Sequence, residues 1–233
     1  MPASSPAFPA PEPALGLPVV ETFHSLQGEG LHAGRSAFFI RLAGCTVGCS
    51  WCDTKHSWPA AAHASRPLAA LAAETAAAAA AGAAFVVITG GEPLHHNLND
   101  LCQALRAVKP NSTSGTLPLH LETSGVDPLS GHFDWITLSP KRHKPPTTEL
   151  LAACDELKVV VSSEADLSFA EAMARAAQAA RSLEQCRELV RDPVLLIQPA
   201  AGCSRSQELA IAYVVAQPSW RLSLQTHKWL GVR

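Results

Sequence analysis

The chain carries little charge for its length. Of its 233 residues 16% are Asp, Glu, Lys or Arg, and their formal sum is -2 with histidine neutral. Proteins grip polynucleotides through dense basic side chains that displace counterions from phosphates, and no such footprint exists here. Nucleic acid is therefore not expected as a direct partner, and a small-molecule substrate is. Long apolar runs are lacking too: nothing approaches the ~20 apolar residues of a membrane-spanning helix, and the opening residues have neither a basic flank nor an apolar centre. A cytoplasmic protein without membrane contact is expected. A disulfide framework is the third absence. The seven cysteines are an odd number, and three of them are too crowded to pair sensibly, which points to a reducing compartment.

Those three crowded cysteines are the strongest positive feature. Cys45, Cys49 and Cys52 are spaced C-x3-C-x2-C in the run Gly44 to Thr54. Thiolates hold iron–sulfur clusters, and a cubane needs one ligand per iron. Three protein ligands leave one iron open to something that is not protein, which suggests chemistry rather than electron storage. On spacing alone two other readings stay open. These are ordinary buried thiols, or a zinc site completed by His56, although structural zinc usually takes four ligands from two such clusters. Cys102, Cys154, Cys186 and Cys203 are scattered and read as small apolar fillers.

Along the chain, residues 1–18 are rich in proline and alanine and are read as a disordered tail, with 19–233 forming one domain. A short buried strand over 37–42 delivers the chain to the cysteine loop. An alanine-rich helix spans 67–81, and a β-branched strand at 85–88 stops at Thr89-Gly90-Gly91-Glu92-Pro93. The same grammar repeats: a helix at 97–108, a polar loop at 111–116, and strands at 117–121, 135–138, 156–161 and 194–197. Helices at 164–189 and 204–215 and a last strand near 221–224 complete it. Strands alternating with helices imply a mostly parallel sheet, with function at the carboxyl ends of its strands. The chain is too short for eight full units, so a partial, open α/β barrel is expected.

The cysteine loop and the run Thr89-Gly90-Gly91-Glu92-Pro93 together resemble the radical S-adenosylmethionine enzymes. The resemblance implies a partial, open (β/α)6-type barrel holding a 4Fe-4S cluster. Its open iron binds the amino and carboxyl groups of S-adenosylmethionine, and reduction releases a 5′-deoxyadenosyl radical. The hard chemistry then belongs to the cofactor, and the protein supplies orientation and exclusion of water. Within that superfamily, Phe23-His24-Ser25-Leu26-Gln27-Gly28-Glu29-Gly30, then Gly34, Phe39 to Cys45 and Trp51-Cys52-Asp53-Thr54 resemble the 7-carboxy-7-deazaguanine synthases over almost the whole folded length. This implies a lyase that converts 6-carboxy-5,6,7,8-tetrahydropterin to 7-carboxy-7-deazaguanine by radical ring contraction with loss of ammonia, assisted by magnesium. The product is a precursor of queuosine, a transfer RNA modification, and of related deazapurines. A homodimer and an electron donor such as flavodoxin or ferredoxin are also implied.

The resemblance assigns Cys45, Cys49 and Cys52 to the cluster and Thr54 to magnesium, which prefers oxygen ligands and keeps several waters. From the residues alone, Thr54 would instead bond its own loop backbone. Contacts to S-adenosylmethionine are expected from Trp51, Cys52 and Asp53. Gly90 and Gly91 offer a backbone edge to its amino group, Glu122 and Ser124 face its ribose and amino acid parts, and Ser139, Pro140 and Lys141 add another strand-end contact. Gln198 and Pro199 fall beside the adenine. There the family often continues with a longer or acidic residue, whereas this chain has Ala200-Ala201-Gly202, so backbone rather than side-chain contacts are expected. The substrate set is Leu26, Gln27, Gly28, Glu29, Arg41, Thr89, His227 and the terminal carboxylate of Arg233. An amide and a carboxylate such as Gln27 and Glu29 suit the donors and acceptors of a pterin edge. Arg41 suits a two-pronged bond to the substrate carboxylate, against the bland reading of a surface ion pair.

No side chain is assigned as catalytic, since the radical arises on the cofactor, and His95 and His96 are read as loop or helix-start residues. A glycyl-radical activase would share the cysteine loop without needing Gln27 to Gly30, and a zinc-binding interaction module would be a colourless protein holding zinc, with no cofactor cleavage. If His227 and the chain terminus fold over the substrate, a tag fused after Arg233 impairs turnover relative to an N-terminal tag; equal rates would count against it.

Overall fold

The computed structural model describes residues 15–109, 116–183 and 192–233. The chain opens with β1 (Gly16–Leu26), turns back into β2 (Ser36–Leu42), and continues through β3 (Ser65–Pro67) into α1 (Leu68–Ala80). Strands and helices then alternate: β4 (Val86–Gly90), α2 (Asn99–Arg106), β5 (Leu119–Thr123), β6 (Trp135–Leu138), α3 (Thr148–Ala153), β7 (Glu156–Val161), α4 (Glu164–Leu183), β8 (Val194–Pro199), α5 (Ser204–Ala216), β9 (Trp220–Leu222) and α6 (Thr226–Leu230). One sheet runs in the order β3-β1-β2-β4-β5-β6-β7-β8-β9. From β2 to β9 every neighbouring pair is parallel, whereas β1 is antiparallel to both β2 and β3. With β3 and β9 as its two edges, the sheet is an open, partial barrel, as expected.

Burial on both faces explains why the parallel strands read as unbroken apolar runs. On β4, Val86 and Ile88 join the large core formed with the helices, while Val87 packs with Phe85, Ala37 and Phe39 in a second cluster. The same alternation on β5 sends Leu119 and Leu121 to the helical side, leaving His120 and Glu122 on the opposite face. The second face closes around a tilted stack: His120 lies 4.2 Å from Phe85, and His32 lies 4.8 Å from His120 and 4.6 Å from Trp135. Burial lowers the His120 imidazole to about 3, helped by nearby His32 and Arg35, so this plug is uncharged at neutral pH.

Several elements depart from expectation. The chain is already paired at Gly16, where Gly16, Leu17 and Pro18 meet β3, so the tail read as 1–18 gives way to strand earlier; residues 1–14 lie outside the described residues. β1 shows no clean alternation because it is half-buried, contains Pro18 and has a register irregularity between Val19 and Glu21. Neither β3, α3 nor α6 was anticipated, each being too short to show a period. The polar loop at 111–116, the end of the long helix beyond 183, and Cys186 fall wholly or largely outside the described residues. Cys102 and Cys154 are the buried fillers expected, but Cys203 is exposed, directly before α5. Among the described residues no helix is long and apolar enough to cross a membrane.

The two-faced core makes Leu121 a direct probe of the fold. It is fully buried on the helical side of β5. Leu121→Ala is expected to lower unfolding stability by roughly 2–5 kcal/mol, read as a lower denaturation midpoint with an unchanged slope.

Candidate active site

At the carboxyl ends of the parallel strands lies a cavity of about 580 Å³. That volume is within the usual range for small-molecule sites. Cys45, Cys49 and Cys52 form part of its wall, and β1, β2, the interior faces of β4 to β8 and the C-terminal segment around α6 contribute the rest.

The cysteine loop is held from several sides. Gly44 N–H donates to Ser57 O at 2.7 Å and Cys45 N–H to Trp58 O at 3.1 Å, which closes the loop on itself. Three histidines brace it. His96 Nε2 donates to Ala43 O (2.7 Å) and His143 Nε2 to Val47 O (3.0 Å). His95 Nε2 accepts from the Thr46 N–H at 3.0 Å, so its proton sits on Nδ1 and points to Asp127. His95 ends the short turn Pro93–His95, as expected of a helix-start residue, and both neighbouring histidines act as struts.

The strand-end glycines make this packing possible. A Cβ on Gly91 would lie 2.3 Å from Gly44 O, and Gly91 N–H donates to Leu42 O at 2.9 Å. Next to it Glu92 is buried and receives Thr123 Oγ1 (2.5 Å), Ser124 N (2.7 Å), Ser124 Oγ (2.5 Å) and Leu94 N (3.1 Å), joining the ends of β4 and β5.

The three thiols suit a polynuclear iron cluster. Burial pushes Cys45 and Cys49 above the ordinary thiol value, and the neighbouring thiols add to the rise, while Lys141 opposes it at Cys49. Three mutually repelling thiolates need a cationic group among them, and among the described residues no fourth cysteine lines the cavity. His56, the fourth ligand of the zinc reading, is exposed on its turn. Thr54 Oγ1 lies 3.5 Å from Cys52 Sγ, on the cavity side of the loop rather than bonded to its own backbone.

The same cavity has a polar wall. Gln27 Nε2 and Thr89 Oγ1 both donate to Glu122, at 2.9 Å each. Glu29 Oε2 pairs with Lys158 Nζ at 2.5 Å and accepts from Gln198 Nε2 at 3.2 Å, while its Oε1 accepts from Gln225 Nε2 at 2.6 Å. Burial alone would raise the Glu29 carboxyl, but Lys158 and the two amides outweigh it and bring it down to about 2. The ion pair's contribution to stability is therefore complete above the ordinary value of 4.5 and is lost as pH falls toward 2. Gly28 meets the C-terminal segment: a Cβ there would lie 2.1 Å from His227 Nδ1, and Thr226 N–H donates to Gly28 O at 2.9 Å.

Almost every residue expected at the site lines this one cavity. Leu26, Gln27, Gly28, Glu29, Arg41, Thr89, His227 and Arg233 do so, as do Trp51, Asp53, Gly90, Gly91, Glu122, Ser124, Ser139, Lys141, Gln198 and Pro199. Pro140 does not line it. It is buried between Ser139 and Lys141, whose side chains take the cavity side, because successive side chains on an extended chain point opposite ways. Two other placements refine expectation. The Ser124 hydroxyl donates to Glu92, and Arg41 Nε pairs with Glu21 at 3.0 Å, so the ion pair and the cavity position coexist. Arg233 pairs with the same Glu21 at 2.5 Å, which pins Arg233 at the cavity. The sequence reading missed Lys158, Gln225 and Glu92. A lysine inside the otherwise apolar Leu157-Lys158-Val159-Val160 was the signal available for the first.

A barrel open at one edge, with three thiols facing the strand-end glycines, defines a radical S-adenosylmethionine protein, and the radical SAM superfamily model matches residues 39–142. The chain is 53% identical over 220 residues to the 7-carboxy-7-deazaguanine synthase of Prochlorococcus marinus, covering 93% of this chain and 98% of that one. It is 45% identical to the synthase of Synechocystis sp., covering 93% of each chain. Among solved structures, QueE from Escherichia coli matches with a TM-score of 0.68 at 30% identity, covering 91% of this chain and 95% of that one. The chain belongs to the 7-carboxy-7-deazaguanine synthase family. Membership brings a 4Fe-4S cluster and S-adenosylmethionine as cofactors, and it sets aside the activase and zinc-module alternatives.

The approach of Gly91 to the cysteine loop is testable. Gly91→Ala must displace Gly44 and is expected to cost about 1–3 kcal/mol of stability. The same variant should hold less iron per chain after reconstitution, measured colorimetrically against Leu121→Ala as a destabilised control.

Proposed function

We propose that this protein converts 6-carboxy-5,6,7,8-tetrahydropterin into 7-carboxy-7-deazaguanine with release of ammonia, supplying deazapurine and queuosine biosynthesis. The observation that carries the reading is that Gln27, Glu29 and Glu122 line the same cavity as the three cysteines. When bound, the cluster and S-adenosylmethionine supply the one-electron chemistry that abstracts a hydrogen atom from the substrate. The chain's own residues hold the substrate for that event. Glu29 and Glu122 accept from the amine and ring N–H groups of the pyrimidine edge, and Gln27 adds an amide. Arg41, kept at the cavity by Glu21 and by Phe23 at 5.7 Å, offers its remaining guanidinium N–H groups to the substrate carboxylate. His227 and the terminal residue Arg233 close the mouth, and their enclosure excludes water from a reactive radical.

For S-adenosylmethionine we assign Trp51, Cys52, Asp53, Gly90, Gly91, Glu122, Ser124, Ser139, Lys141, Gln198 and Pro199. Ala200 and Ala201 also line the cavity, and their small side chains fit backbone contacts there. Magnesium belongs to Thr54 in this reading, because its hydroxyl lies on the cavity side beside Cys52. The reading extends to an electron donor of the flavodoxin or ferredoxin kind and to a cytoplasmic site of action, where thiols stay reduced. A homodimer also belongs to it, and the exposed Ile211, Val215, Trp229 and Leu230 offer apolar surface for an interface.

The test is anaerobic reconstitution with iron and sulfide, followed by reduction in the presence of S-adenosylmethionine and the carboxylated tetrahydropterin. Both 5′-deoxyadenosine and 7-carboxy-7-deazaguanine should form, and Cys49→Ala should abolish both. Absence of the deazaguanine product from cluster-loaded wild type would sink the proposal.

A further inference from the structure

Lys158 has no place in the assignments above, yet it sits at the centre of the polar wall. On β7 the side chains of Leu157, Val159 and Val161 join the helix-facing core, so Lys158 points to the other face, where it is 5% exposed and lines the cavity. Glu29, in the turn after β1, pairs with it at 2.5 Å, and the carboxylates of Glu122 on β5 and Glu156 on β7 act on it through their charge. Glu156 is buried and accepts the Leu31 N–H at 2.8 Å, which anchors the same turn that carries Glu29. The other charged or titratable groups facing this cluster are Lys141, after β6, and His227 of α6, against Gly28. Three carboxylates around one ammonium cannot all stay ionised out of water unless that ammonium is present.

We propose that Lys158 is a positioning residue that keeps Glu29 an ionised, aimed acceptor, and that it thereby makes the cavity select a 2-amino-4-oxo pyrimidine edge over a 2,4-dioxo edge. The inference rests on the substrate class proposed above. An ionised carboxylate only accepts hydrogen bonds, so it matches the amine of the first edge and confronts the carbonyl that replaces it in the second. Glu29 has no freedom to turn away, because Lys158, Gln198 and Gln225 fix both its oxygens. A site that leaves buried polar atoms unpaired against the wrong ligand discriminates strongly. Without Lys158, burial and the neighbouring Glu122 and Glu156 favour a protonated Glu29. Its O–H could then donate to a carbonyl, and the basis of discrimination disappears.

The probes are 6-carboxypterin and 6-carboxylumazine, fluorescent aromatic analogues that differ in this edge. Their affinity for the full chain is read by fluorescence quenching between about pH 5 and 6.5, where a buried carboxylate raised above its ordinary value titrates. Wild type should prefer the pterin by roughly 100-fold across that window. Lys158→Met should weaken pterin binding by about tenfold, lower the preference by a similar factor, and introduce a pH dependence in which pterin affinity recovers as pH rises and Glu29 ionises. Lys158→Arg should retain most of the preference. Should Lys158→Met fail to fold by circular dichroism, Glu29→Gln supplies the same neutral side chain and should lose the preference without a pH slope. A folded Lys158→Met with unchanged preference and no new pH dependence would overturn the proposal, as would a Glu29→Gln that still rejects the lumazine. Wild type that binds neither analogue would overturn the substrate reading instead.

Discussion

The ion pair between Glu29 and Lys158 is the point at which distant parts of the chain become one site. Glu29 lies 129 residues from Lys158, 169 from Gln198 and 196 from Gln225, and it bonds to all three. Each bond draws in a different element: β7, β8 and the segment that leads into α6. A buried carboxylate without partners would protonate or return to water, so its ionisation and the assembly of these elements depend on each other. The pair also orients the turn after β1, whose backbone N–H groups at Gly30 and Leu31 donate to Ser223 and Glu156. The acceptor wall of the cavity is thus a consequence of chain closure.

The cysteine side is organised differently. There the backbone carbonyls of Ser57 and Trp58 and the imidazoles of His95, His96 and His143 supply most of the polar contacts, and Lys144 Nζ donates to Thr46 O at 3.4 Å. These brace the backbone and leave the thiols facing the cavity. Charged groups and thiols share one cavity because both are mounted near the carboxyl ends of parallel strands, where side chains from several strands converge on one side of the sheet. Lys228 ties the two walls at the rim, pairing with Asp53 of the cysteine loop at 2.8 Å from its place on α6.

Legibility in the sequence followed regularity. The parallel strands were readable because burial on both faces imposes continuous apolar runs, as in Val86-Val87-Ile88, and because glycines and prolines punctuate their ends. β1 was not, since its role as a half-buried bridge between β2 and β3 tolerates Pro18 and an irregular register. At the site, residues inside compact local patterns were readable: the cysteines, Gln27 to Gly30, and the strand-end glycines. Pro140 was assigned to the cavity because its neighbours belong there, and only the direction of successive side chains separates it from them. Lys158 was missed because it stands alone in an apolar run, and Glu92, although inside the strand-end run, was given no role because its partners Thr123 and Ser124 come from another strand.

The sequence by itself, through its cysteine spacing and its family resemblance taken together, determined the cofactor chemistry, and through its apolar runs the strand-end architecture. A cluster needs thiols at short spacing, and a strand, turn and helix need apolar runs and glycines within a few residues, so both leave local marks. Tertiary structure alone decided the charge state of the cavity. Whether Glu29 is an acceptor depends on Lys158, whether Ser124 is free depends on Glu92, and whether Arg41 is held at the mouth depends on Glu21. Ionisation and hydrogen bonding respond to distance in space and to burial, and neither is written into the spacing of residues along a chain.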